Sequence, residues 1–448
     1  MRASLHNLRL LAIGTPLTDT SPTPTLLFLH DMKGGVFLEQ DIAPYTTYSH
    51  FTHLFLIAHE AQRLGWQIYF RSTDSDECQQ ILQMYPVVQL GESASFNDPA
   101  FQPTMVFGVN NTLGITSARH QKPNAMGVYV ISAHFWLEKE TFRTDFVEWV
   151  RVGVAKDVDF ILTQNRRMED LAYYLLNFVA RWQWRDRILS APNNFCRKVA
   201  ENEAQNFDRA SVRRRMQVTD DEIVIINSGG PWSWTDADVF ATAFAEVVRE
   251  GARRIKFLQM GIMQESNTIQ AEIIPFWENY LKTNQDLIQS RQLVVFTNWR
   301  EASGCLPAWN YGADIGLNVS RDSAENYQAH RVRFIDYAKA GLPVLNSTGN
   351  FYPTYDAKDA VMLVAPGDLQ GYKDLLWKIE RGEIDLGAKR AAMQTFRESI
   401  MSEHLIPPIL KHMLATGRVP AEERAPVAKE YHDLYQSVTQ HQFANNFK

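Results

Sequence analysis

Gly229-Gly230 stands where a short apolar run, 223–227, breaks off, and Thr235 and Asp236 follow just before an amphipathic stretch. A strand that turns through two glycines into a helix N-terminus presents free backbone N–H groups and the positive end of the helix dipole, both of which favour an anion. The same residues also describe a plain helix start, with Thr235 as N-cap and Asp236 in the first turn. A second group runs from Glu325 to Pro343 and places Arg331, Arg333 and Asp336 at the opening of a helix that ends at Gly341. Doubly wound folds bind ligands at the carboxyl ends of their strands, where this helix begins. Arginine forks match phosphate oxygens, so two of them suit a diphosphate, and Glu325 or Asp336 can accept hydrogen bonds from sugar or ribose hydroxyls. The alternative is an Arg–Asp pair on a solvated helix face. A third candidate is His134, just past the apolar run 127–131, where it could bind a hydroxyl or assist proton transfer. A lone His is more often a structural residue.

The elements that must carry these residues follow from periodicity. Short runs rich in β-branched and aromatic residues alternate with amphipathic stretches, which predicts parallel strands joined by helices. In the first half the strands are 8–13, 25–29, 67–70, 104–109, 127–131 and 160–163, with a helix ending near Leu64 and stopped by Gly65. A charged, helix-prone stretch interrupts the pattern, which restarts with strands 223–226, 255–258, 293–296, 315–317, 344–345 and 361–363 and helices 235–250, 271–281 and 330–339. The reading is two α/β domains, 1–195 and 216–425, with a linker at 196–215 and a C-terminal helix within 426–448 that packs back on one of them.

Composition narrows the function class. The 448 residues are enough for two cores, and 45 Lys+Arg against 51 Asp+Glu give a net charge of -6, which argues against a nucleic-acid partner. Cys78, Cys196 and Cys305 are far apart and in no metal-ligand spacing, so buried thiols in a reducing compartment are expected, and no metal. No secretory signal or spanning segment is evident, which points to a cytoplasmic protein. The run Arg181-Trp182-Gln183-Trp184-Arg185 is a candidate peripheral membrane contact, or a helix end packed on the core.

Together the three groups resemble the GT-B glycosyltransferases, specifically the retaining, glycogen-synthase-like group (glycosyltransferase family 4-like). One branch carries a Gly-Gly-x-Trp-x-Trp-x-Asp signature, matched by Gly229, Gly230, Trp232, Trp234 and Asp236. It also has Arg-x-Arg-x-x-Asp-Tyr-x-x-Ala-Gly-Leu-Pro preceded by Glu, matched by Arg331, Arg333, Asp336, Tyr337, Ala340, Gly341, Leu342, Pro343 and Glu325. In the first half, His134 with Leu137-Glu138 and the Pro192-Asn193 step resemble that branch as well, and Gly34-Gly35 more weakly.

The resemblance implies two Rossmann-like domains facing across a cleft, and transfer of a sugar from a nucleotide-diphosphate sugar to a glycan or glycoconjugate with retention. It implies Arg331, Arg333, Glu325 and His134 as catalytic residues and Gly229, Gly230, Trp232, Trp234, Asp236, Asp336 and Arg300 as donor-binding ones, with Arg321 in reserve and no cofactor beyond the donor. Two departures stand out. Gln328 occupies the position where many members have Glu, and 259–264 lacks the usual Arg and Lys. A nucleotide-sugar epimerase, or a binding protein that kept the fold, are the alternatives these departures leave open.

Overall fold

The computed structural model describes residues 23–28, 49–70, 100–109, 112–131, 154, 156–192, 194–261, 273–296, 308–323, 326–327, 331–350 and 357–424. The chain divides into two compact units. The first holds the described residues up to Asn194 together with 402–424, and the second is Phe195–Met401.

In the first unit, β1 (Thr25–Phe28), β2 (Gln67–Phe70), β3 (Met105–Val109), β4 (Met126–Val130), β5 (Phe160–Thr163) and β6 (Ile188–Ser190) form a six-stranded sheet in the order β2-β1-β3-β4-β5-β6. All its pairings are parallel. Helices α1 (Ser49–Arg63), α2 (Thr112–Gln121) and α3 (Arg166–Ala180) supply the crossovers that parallel strands require. Continuous burial of β4 and β5 fits a sheet covered on both faces.

The second unit opens with α4 (Arg197–Asn206) and α5 (Arg209–Met216). The stretch read as a linker is therefore two helices of this unit. Arg213 anchors α5 by donating to Asp314 Oδ2 at 2.8 Å and to the Glu222 carbonyl at 2.8 Å. Strand β7 (Ile223–Asn227) then leads through the glycine turn to α6 (Ala237–Arg249). Apolar residues at helical spacing bury one face of α6, with Phe240 and Phe244 against Phe257 of β8 (Ile255–Gln259). Helices α7 (Ile274–Thr283) and α8 (Gln285–Gln289) connect to β9 (Leu293–Val295), and β10 (Ile315–Asn318) follows. Helix α9 (Val332–Lys339) leads into β11 (Val344–Ser347), and β12 (Val361–Val364) completes the sheet, in the order β12-β11-β10-β7-β8-β9. Its pairings are also all parallel. Helices α10 (Leu369–Glu380) and α11 (Leu386–Ser399) close the unit.

The last described helix, α12 (Ser402–Thr416), returns to the first unit and packs on α1, where Ser402 Oγ donates to Glu60 Oε1 at 2.7 Å. The second domain read from sequence as 216–425 thus ends at Met401 in the structure. Buried Asp159 holds the following segment. One carboxylate oxygen accepts from Val419 N at 2.9 Å and pairs with Arg424, and the other accepts from Gly127 N at 2.8 Å beside Arg119. No side-chain period encodes such long-range ties, so sequence periodicity could not place this boundary. The C-terminal helix expected within 426–448 and the strand at 8–13 lie outside the described residues.

Candidate functional site

The glycine turn is held from below by a chain of hydrogen bonds. Arg333 Nη1 donates to Asn227 Oδ1 at 2.6 Å, Asn227 Nδ2 donates to Gln259 Oε1 at 2.8 Å, and Gln259 Nε2 donates to the carbonyls of Met260 at 2.8 Å and Gly229 at 3.2 Å. Arg333 Nη2 adds a bond to the Gly230 carbonyl at 3.1 Å. Both carbonyls of the Gly-Gly pair are therefore engaged by donors. Its two N–H groups have no partner among the described residues. A peptide whose oxygens are fixed inward and whose N–H groups are unpaired is a receptor for an anion.

Tyr337 fixes the turn from another side. Its ring lies so close to Gly316 that a β-carbon there would come within 2.7 Å of Cε2. Its hydroxyl accepts from Ser228 N at 2.9 Å and lies 2.9 Å from the Ile226 carbonyl and 3.1 Å from that of Leu317. The end of β7 is thus tied to β10 and α9 at one oxygen. The Ser228 hydroxyl is buried beside it, with no partner among the described residues.

Arg333 is partly buried, and burial pushes its guanidinium pKa down, assisted by the neighbouring Arg331 charge and opposed by Tyr337 and Asp336. No carboxylate forms an ion pair with it among the described residues. A guanidinium taken partly out of water, with Asp336 as an opposite charge nearby but no carboxylate paired directly with it among the described residues, suits an anionic ligand. Arg331 caps the start of α9 and reaches Ser320 Oγ at 3.3 Å, past the end of β10. The structure therefore brings Arg333 against Gly229 and Gly230, and places the Arg331 guanidinium at Ser320.

Trp232 and Trp234 stack with centroids 5.0 Å apart and planes 3° from parallel, and both remain partly exposed. Asp236 has a different engagement from the donor contact expected of it. It is buried, and its Oδ2 accepts from Gly367 N at 2.6 Å and from the Tyr372 hydroxyl at 3.1 Å, which ties the start of α6 to α10. Burial raises its pKa above the usual carboxylate value. Asp336 lies beside Lys339, 3.6 Å from Nζ, and Lys339 bonds Glu203 of α4 at 2.8 Å. Burial raises Asp336 to about 6, against the opposing pull of Lys339. Burial alone would lower the Lys339 pKa, but Glu203 and Asp336 reverse that and hold it protonated.

Arg321 pairs with Asp238 at 2.7 Å, so it is already partnered on α6. Glu325, Arg300, His134 and Gln328, and with them Gly34-Gly35, lie outside the described residues. Asn227, Gln259 and Tyr337 carry the geometry of the turn without having been singled out. Tyr337 lies inside a matched motif, and Gln259 follows directly on the strand expected at 255–258, but nothing in a residue type says which carbonyl it will hold.

The membrane-contact candidate looks different in three dimensions. Trp182 is wholly buried, Trp184 Nε1 donates to Glu423 at 3.4 Å, and Arg185 pairs with Glu169 and Asp170. The aromatic run is a packed helix end, the other of the two readings the sequence left. Among the described residues no helix is long and apolar enough to cross a membrane, and no cluster of His, Cys, Asp or Glu is placed to hold a metal ion. Cys196 is buried and in no disulfide, whereas Cys78 and Cys305 lie outside the described residues.

No family model matches the chain, and no curated protein matches it in sequence. Solved structures do match in fold. HepE of Anabaena, in complex with UDP and glucose, superposes with a TM-score of 0.59 at 10% identity over 87% of this chain and 98% of its own. Sucrose-phosphate synthase of Thermosynechococcus elongatus gives 0.56 at 11% identity over 92% and 100%. The α,α-trehalose 6-phosphate synthase of Burkholderia multivorans gives 0.56 at 11% identity over 88% and 99%. Two six-stranded parallel sheets flanked by helices, matched to these proteins over nearly their whole length, give this chain the two-domain, Rossmann-like GT-B fold of glycosyltransferases.

Proposed function

We propose that the protein is a glycosyltransferase that takes a sugar from a nucleotide-diphosphate sugar and passes it to a glycan or glycoconjugate with retention. The observation that carries the reading is the state of the Gly229-Gly230 turn: its carbonyls are engaged by Gln259 and Arg333, and among the described residues its N–H groups are unpaired and no carboxylate forms an ion pair with the Arg333 guanidinium against it. The donor diphosphate lies on that turn. Arg333 and Arg331 stabilise the negative charge that grows on it as the bond from the sugar to phosphate breaks. Asp336, ionised above pH about 6, accepts hydrogen bonds from donor hydroxyls, a part it shares with Glu325. His134 and Arg300 keep the roles that the resemblance implies, in catalysis and in donor binding. The leaving diphosphate takes the acceptor proton, so no dedicated base and no cofactor is needed. The UDP, glucose and UDP-glucose held by HepE, and the UDP-2-fluoro glucose held by an E. coli trehalose-6-phosphate protein of the same fold, are ligands of the proposed class. A cytoplasmic enzyme working on activated sugars fits this reading.

The test is calorimetric titration with UDP, GDP and ADP and their glucose or mannose conjugates, followed by an assay for nucleoside diphosphate release with glycan acceptors. Binding that Arg333→Ala weakens by a factor of ten or more, with an unchanged circular dichroism spectrum, is the expected result. Binding of these ligands that is indifferent to Arg333 would remove the assigned site.

A further inference from the structure

We propose that Trp232, Trp234 and the Arg321–Asp238 ion pair form a subsite for a pyranose ring beside the Gly229-Gly230 turn. This rests on the functional reading above and goes beyond it by assigning a sugar-recognition surface. The two indoles stack on each other and both remain partly exposed, and neither belongs to the hydrophobic core of its unit. Among the described residues no second aromatic ring or cation covers them, and neither indole N–H donates a hydrogen bond.

Their backbone is held firmly even though the rings are not buried. The Trp232 carbonyl accepts from Thr235 N at 2.8 Å and from Thr235 Oγ1 at 2.7 Å, and the Trp234 carbonyl accepts from Arg321 N at 2.9 Å. A rigid, half-exposed aromatic pair loses little freedom on binding, as in other preorganised recognition surfaces. Only Pro231 separates Gly230 from Trp232, so the first indole starts within about 7.6 Å of the turn.

The polar neighbours decide which flat ligand fits. The backbone bond from Arg321 to Trp234 brings the Arg321–Asp238 pair to the edge of the platform. Asp238 Oδ1 is buried with no hydrogen-bond partner among the described residues, while Oδ2 holds Arg321. A carboxylate that accepts and a guanidinium that donates match hydroxyls standing around a saturated ring, and the C–H face of that ring covers an indole. A nucleobase, read along an in-plane edge, would leave this pair without matching groups. The ring belongs either to the donor sugar or to an acceptor glycan, since both reach a diphosphate on the turn.

The experiment uses the full chain with Trp232→Leu and Trp234→Leu, which keep apolar bulk, Trp234→Phe, which keeps a ring, and Asp238→Asn. Calorimetry compares UDP with UDP-glucose and GDP with GDP-mannose, and then methyl α-D-glucopyranoside and maltotriose with the nucleoside diphosphate present. The Leu and Asn variants should bind the nucleoside diphosphate within twofold of the unaltered protein. They should lose about tenfold in affinity either for the sugar conjugate, which assigns the donor ring, or for the glycosides, which assigns the acceptor ring. Trp234→Phe should retain most of that affinity. Equal losses for nucleoside diphosphate and conjugate, or no change for any ligand, would overturn the subsite. Should no nucleotide bind the unaltered chain, the functional reading fails separately. Maltotriose binding lost in the Leu variants would still support the platform, and no carbohydrate binding at all would end it.

Discussion

The guanidinium of Arg333 occupies the space that a β-carbon on Gly229 would need, since such a carbon would lie 2.7 Å from Arg333 Cζ and Nε. Any side chain at 229 would therefore have to displace the Arg333 guanidinium from the β7 turn. Gly229→Ala should push Arg333 off the turn and weaken nucleoside diphosphate binding about tenfold or more. The double variant Gly229→Ala/Arg333→Ala should be no weaker than Arg333→Ala alone, because the two changes remove one arrangement. Additive losses by calorimetry would mean that Gly229 acts independently.

Gln259 is wholly buried and satisfies the Gly229 and Met260 carbonyls and the Asn227 amide at once. Gln259→Ala leaves those groups without partners, at a cost of about 1–3 kcal/mol. The thermal midpoint should fall and nucleotide affinity with it. Gln259→Glu should keep the volume yet weaken binding more than it lowers stability, because it puts a negative charge under the turn. A glutamate variant with unaltered nucleotide affinity would show that the turn does not hold the diphosphate.

Asp236 separates a structural from a ligand-binding role. Removing its carboxylate strands Gly367 N and the Tyr372 hydroxyl, so Asp236→Ala should lower stability by about 1–3 kcal/mol. The folded protein should bind nucleotide within a few-fold of the parent. A large affinity loss with an unchanged unfolding curve would restore the donor contact implied by the signature motif.

The pH dependence of stability should carry the imprint of Asp336, raised from 3.8 to about 6. A carboxyl whose folded value lies above its unfolded one takes up a proton on folding. Its contribution is therefore full below pH ~4 and is lost as the pH rises through about 6, by ~2–3 kcal/mol. Asp336→Asn should remove that slope, so the stability difference between the two proteins should change between pH 4 and 7. A constant difference across that range would exclude the shifted carboxyl.

In the first unit, Asp159 is the anchor of the returning segment. Asp159→Ala leaves Arg119, Arg424 and two backbone N–H groups without their carboxylate, and breaking a buried pair in this way costs about 3–5 kcal/mol. The variant should unfold at markedly lower temperature, and limited proteolysis should cut near 417–424 first. Unchanged protection of that segment would show that other contacts hold it.

Much of the architecture was legible because parallel α/β sheets write themselves in local periodicity. The runs at 223–226, 255–258 and 315–317 fall within β7, β8 and β10, and the helix expected at 330–339 is α9 at Val332–Lys339. The stretch 196–215 was misread as a linker because its charged residues hide a buried side. Glu203 and Arg213 are held by Lys339 and Asp314, which lie far along the chain. Asp236 shows the same limit, since Gly367 and Tyr372 lie 131 and 136 residues away.

By itself the sequence determined the residue types that meet at the turn, two glycines, two arginines and two tryptophans, and the strand and helix that present them. Local spacing suffices for that, because side-chain direction repeats with the backbone period. Only the tertiary structure decided which groups are already engaged. It turned the Gly229 and Gly230 carbonyls onto Gln259 and Arg333, drew Asp236 to Gly367 and Tyr372, and left the indoles of Trp232 and Trp234 half-exposed. The physical reason is that hydrogen bonds and ion pairs are formed by proximity in space, and parallel sheets with long crossovers bring together residues a hundred positions apart.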